Sequence, residues 1–113
     1  MKKAFLYLWG KLLFLTRKID YRIIQTSTFP PASQVLGNRI YIVGQQGFPK
    51  WAIMRCPCGC KEQLTLSLMK QKKPNWEISI QNQKISLSPS VWKNEGCRSH
   101  FFLKKGKVIW TSD

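Results

Sequence analysis

Three of the chain's four cysteines, Cys56, Cys58 and Cys60, fall inside the five-residue segment CPCGC, and the fourth, Cys97, follows far downstream. Spacing this tight is awkward for conventional disulfides. It suits a metal, because Pro57 presets the turn and Gly59 lets backbone amides approach sulfur, as a tetrahedral thiolate site requires. Free cysteines acting as small core hydrophobes would be poorly placed in such a turn. The expected site is Zn2+ held by Cys56, Cys58, Cys60 and Cys97. His100, three residues after Cys97, offers a rival sphere of three cysteines and one histidine with a cysteine to spare, and the spacing leaves both arrangements open.

His100 is the only histidine. It is therefore the one side chain with an ordinary pKa near neutrality, and a site built on two histidines is excluded. If four cysteines saturate the metal, the imidazole is left over as a general base for a hydroxyl nucleophile. Ser99 is adjacent, but neighbours on a strand point to opposite faces, so it is poorly placed to receive help from His100. Ser88 and Ser90 come from a separate strand end where Pro89 interrupts the ladder. The expected pair is Ser90 as nucleophile and His100 as base. From the knuckle onward the carboxylates are Glu62, Glu77, Glu95 and Asp113, of which Glu62 abuts the cysteine knuckle and is the choice to orient the ring. No Gly-x-Ser-x-Gly elbow supports this reading, and serines beside strands commonly form turns.

The elements that must carry these groups can be read from the pattern. With 113 residues and 13.2 kDa the chain is sized for one domain. Residues 1–24 hold Phe5, Leu8, Trp9, Leu12, Leu15 and Ile19 on one face of a helical wheel and Lys3, Lys11, Arg17 and Lys18 broadly opposite, the pattern of an amphipathic basic helix. Gly10 and Lys11 interrupt its apolar run, and no small-residue cleavage site follows, so neither a membrane span nor a secretory signal is expected and the cytoplasm is the expected location. Such a helix serves either a protein partner or an anionic membrane surface. Residues 25–38, with Pro30 and Pro31, read as a linker. From 39 to 113 short β-rich stretches follow at Arg39 to Val43, Trp51 to Arg55, Leu64 to Leu68, Trp76 to Ile80, Lys84 to Ser88, Phe101 to Leu103 and Lys107 to Trp110. Turns at 81–83 and 104–106 complete a mainly β fold, a small zinc-stabilised antiparallel β meander. A core of about 75 residues supplies only ~3–5 kcal/mol, which is why a metal staple is expected.

The blocks YIVG at 41–44, CPCGCKE at 56–62, NWEISI at 75–80, SLSPSVW at 86–92, CRSHFFL at 97–103 and KVIW at 107–110 together resemble a family of small bacterial cysteine- and histidine-containing proteins. Members of that family are encoded beside ubiquitin-like modifiers and their E1-like and E2-like conjugating enzymes. The resemblance implies a metal-stabilised β protein of a ubiquitin-like modification pathway, a serine-type peptidase that trims or removes the modifier, with the modifier and the E1-like and E2-like enzymes as partners. It leaves the N-terminal segment unexplained.

Charge points a second way. Nineteen Lys plus Arg against five Asp plus Glu give a formal net charge of +14, which favours an anionic partner. Trp51, Trp76, Trp92, Phe101 and Trp110 stand near basic residues, Trp51 directly after Lys50, and lysines at 70, 72 and 73 and at 104, 105 and 107 form two basic loops, so a zinc-ribbon-like nucleic-acid-binding module is the alternative. Strand placement favours these aromatics as core residues instead. A non-catalytic adaptor for conjugation enzymes needs only the basic surface and the metal fold.

Overall fold

A computed structural model of the chain describes residues 19–45, 47–93 and 96–111. Two four-stranded sheets carry the fold. The first contains β1 (Arg22–Thr26), β2 (Arg39–Gln45), β3 (Phe48–Arg55) and β4 (Gln63–Ser67) in that order. The second contains β5 (Glu77–Gln81), β6 (Lys84–Trp92), β7 (His100–Lys104) and β8 (Lys107–Trp110), again in sequence order. Period-two patterning explains why the sheets share a core. Ile40, Ile42, Ala52, Met54, Leu64 and Leu66 face it from the first, and Ile85, Leu87, Val91, Phe101 and Leu103 from the second.

The seven expected strands are all present: β2, β3, β6 and β7 run longer than expected, β4 and β5 are displaced by one residue so that Leu68 and Trp76 fall outside them, and β8 coincides. Both anticipated tight turns are there. Asn82 and Gln83 in the β5–β6 turn, and Lys105 and Gly106 in the β7–β8 turn, adopt positive φ, as the turns that match strand twist require.

A single antiparallel meander is not what forms. The strands divide between two sheets, and β1 pairs in parallel with β2. The helix expected over 1–24 lies, as far as residue 18, outside the described residues. From Ile19 onward the chain is not helical: Ile19 and Tyr21 are buried and Arg22–Thr26 is strand. The wheel credited Ile19 to a helical face, whereas the β-branched Ile23, Ile24 and Thr26 favour a pleated backbone. A parallel pair needs a crossover of a dozen residues or so. That is the work of the segment expected as a linker, which contains one 3₁₀ turn (Ala32–Gln34) and sets Val35 against Tyr41, Val43 and Ile53 on the outer face of the first sheet.

The segment before β1 ties the sheets together. Asp20 donates its amide to the Gly106 carbonyl at 2.6 Å and accepts the Val108 amide at 2.8 Å, while the Tyr21 hydroxyl donates to the Arg55 carbonyl at 2.8 Å. At the β2–β3 bulge Gly44 has φ of +148°, and a Cβ there would lie 2.5 Å from the Phe48 carbonyl oxygen and 2.9 Å from the Lys50 nitrogen. Backbone atoms cannot swing aside. Gly44→Ala is therefore expected to destabilise the fold by about 2–3 kcal/mol or more, read as a lowered denaturation midpoint with an unchanged denaturant slope.

Candidate active site and metal centre

The knuckle emerges from the end of β3. Arg55, immediately before it, donates to three carbonyls: Val35 at 2.9 Å, Ala32 at 2.7 Å and Lys61 at 3.1 Å. One guanidinium thus fastens the crossover to the knuckle, a role its five fixed donors suit. Gly59 and Lys61 take positive φ to fold the turn, and the Cys56 amide closes it on the Glu62 carbonyl at 2.8 Å.

The sulfur atoms of Cys56, Cys58, Cys60 and Cys97 all lie within 4.8 Å of one another. Cys56 Sγ is 3.4 Å from Cys58 Sγ and 3.6 Å from Cys97 Sγ. Those separations are far beyond a disulfide bond, and they are close to the ~3.8 Å edge of a tetrahedron with metal–sulfur bonds of about 2.3 Å. Donors to sulfur are in place as well. The Cys60 amide donates to Cys58 Sγ at 3.3 Å, the buried Ser99 hydroxyl lies 3.1 Å from Cys97 Sγ, and the Cys56 thiol donates to Ser99 Oγ at 3.5 Å. The environment splits the thiols. Burial pushes Cys56 up to about 12, while hydrogen bonds from the Ser99 hydroxyl and the Cys60 amide bring Cys58 down to about 6. The four cysteines thus fit a metal ion, with Cys56 beneath it and Cys58, Cys60 and Cys97 toward solvent.

Cys97 and Ser99 sit just upstream of β7, so the knuckle of the first sheet is brought against the strand that carries His100. His100 is not grouped with the sulfurs, and its Nε2 lies 2.8 Å from the Ser90 hydroxyl oxygen. Ser90 reaches it because β6 bulges. Leu87 pairs with Leu103 and Val91 with Phe101, so residues 88–90 stand opposite Phe102 alone. Pro89 lacks the N–H a regular ladder would use. The Trp76 indole donates to the Ser90 carbonyl at 3.3 Å and pins the bulge from β5's side.

Glu62, expected as the carboxylate that orients the ring, is engaged elsewhere. Its Oε2 receives the ammonium of Lys93, the residue that follows β6. His100 Nδ1 is buried with no hydrogen-bond partner among the described residues. Glu95 and Asp113 lie outside those residues. In place of a carboxylate, the Trp92 indole stacks on the imidazole, centroids 4.7 Å apart and planes 9° from parallel. The two are direct partners across β6 and β7.

The expectation that the aromatics are core fails for Trp92 and Trp110 and holds for Phe101, against whose cluster Trp76 packs. Phe101 is fully buried and Trp51 and Trp76 partly so, but Trp92 and Trp110 remain 55% and 52% exposed. Trp92 is not recognisable as a partner of His100 in the sequence, and Ser99 figures there only as a candidate nucleophile and not as a neighbour of the sulfurs. Ser99 carried a signal in its place two residues after Cys97, whereas pairing Trp92 with His100 required the register that the bulge sets. Arg55 could have been found as the residue abutting the first ligand.

No helix among the described residues is long and apolar enough to cross a membrane. No curated protein and no solved structure matches the chain. A family model does, over residues 26–111, a span running from the last residue of β1 to just past β8 and containing all four cysteines, Ser90 and His100. The chain belongs to the family described as bacterial ubiquitination-like system serine protease (BubE).

Proposed function

We propose that the chain is a peptidase whose nucleophile is Ser90 and whose general base is His100, acting on a ubiquitin-like modifier of its pathway. The observation that carries this reading is the 2.8 Å contact between Ser90 Oγ and His100 Nε2, which is hydrogen-bond reach for proton abstraction. With the proton on Nδ1, Nε2 accepts the Ser90 hydroxyl proton as Oγ adds to the scissile carbonyl. The same Nε2 then returns the proton to the leaving amine, and water releases the acyl group by the reverse sequence.

A pair without an orienting carboxylate needs another means to hold the ring and stabilise the imidazolium. Trp92 supplies both. Its stacked indole fixes the ring plane, and its π face attracts the cation formed during attack, worth about 0.5–2 kcal/mol. Trp92→Leu is expected to lower kcat roughly tenfold with little change in KM, and Trp92→Phe to retain most activity. Steady-state kinetics on a precursor with a C-terminal extension reads both.

Cys56, Cys58, Cys60 and Cys97 hold Zn2+ in this reading. Four thiolates leave it no open coordination position, so the ion supplies structure and not a nucleophile. It joins the β3 knuckle to the segment leading into β7, and through that segment it fixes His100. Ser90→Ala and His100→Ala test the assignment together. Each should abolish cleavage with bound zinc unchanged, and loss of zinc from His100→Ala would instead make the imidazole a ligand.

A further inference from the structure

The strand register lays out the solvent face of the second sheet around the Ser90–His100 pair. Alternation puts His100, Phe102 and Lys104 on this face of β7, opposite the buried Phe101 and Leu103. Ile109 pairs with Phe102 across β7 and β8 and is 46% exposed, and the Lys104 ammonium lies 4.9 Å from the Phe102 ring centroid. Leading away from the catalytic pair there is first an apolar step, Phe102 with Ile109, and then a cation. Lys107, beside Lys104, is paired with Asp20 at 3.4 Å.

We propose that this strip is the substrate-docking surface and that its occupant is an extended segment of the modifier's tail carrying an apolar side chain near the scissile bond and an acidic one two residues farther along. This rests on the assignment of Ser90 and His100. A peptide attacked by Ser90 must lie on this face, since Trp92 and the bulge border the nucleophile there. An extended chain repeats its side-chain direction every two residues, about 6.6 Å, which equals the step from Phe102 to Lys104 on β7. Apolar contact therefore falls on Phe102 and Ile109, and the acid meets Lys104. The protein's charge of +14 favours the same sign of partner at longer range.

The test uses the full, zinc-loaded chain carrying Ser90→Ala and two blocked hexapeptides that differ only in Asp or Lys two residues from a Leu. The Asp peptide should bind about tenfold more tightly at low salt, with the difference shrinking at high salt. Lys104→Glu should reverse the preference, and Ile109→Glu should weaken both peptides. Should either variant melt early, Lys104→Gln and Ile109→Ser take their places, the first expected to remove the difference between the peptides and the second to weaken both. Equal binding of the two peptides, or binding of neither, overturns the docking strip. The role of Ser90 would survive that result, because it is judged separately by cleavage of a modifier precursor by the unsubstituted chain.

Discussion

Replacing Ser90 with alanine is expected to lower kcat/KM on a ubiquitin-like precursor by about 10⁴-fold or more, with zinc content and melting temperature unchanged. The size follows from what is removed. In the proposed mechanism Ser90 Oγ is the atom that forms the acyl bond, and the two other serines weighed for that role do not replace it: Ser88 is exposed on the bulge, and Ser99 is engaged with the sulfurs. His100→Ala should cost nearly as much, and the double variant little more than either single, since nucleophile and base work as a unit. Additive losses would mean that the two side chains do not share a proton.

The second large effect concerns the metal. The knuckle belongs to the first sheet and Cys97 to the approach to the second, so an ion held by the four sulfurs would close a loop of some forty residues. Structural zinc bound by cysteines contributes about 10–16 kcal/mol of apparent binding energy, larger than the margin of a small core. Stripping the metal with a strong chelator, or Cys97→Ser, is expected to lower the melting temperature by tens of degrees and to abolish activity. Cys56→Ser should be worse than Cys60→Ser, because Cys56 is buried in the core whereas Cys60 is exposed. Activity lost at full thermal stability would move the ion from scaffold to reaction.

How much of this was legible beforehand depended on the range of the interaction. Cys56, Cys58 and Cys60 announce themselves through local spacing, so a thiolate cluster could be read from residue types alone, whereas the choice between a four-cysteine sphere and one that includes His100 needed the fold. Ser90 was reachable because Pro89 marks a break in a strand, and His100 because it is the lone imidazole. Glu62 misled for the same local reason: it abuts the knuckle, but Lys93 lies closer to it in space and takes its charge. Trp92 was invisible as a site residue, since its partner depends on how many residues the β6 bulge inserts. The parallel β1 escaped because Ile19 satisfies a helical face and a buried extended segment equally well, and only tertiary contact with Gly106 and β2 decides between them.

Covalent trapping measures the central claim most directly. The zinc-loaded chain is treated with a fluorophosphonate, and the modified residue is located by peptide mass spectrometry. A single adduct on Ser90, lost in His100→Ala while that variant keeps its zinc, is the predicted result. An adduct on another serine, or labelling of Ser90 that is indifferent to His100, would contradict it.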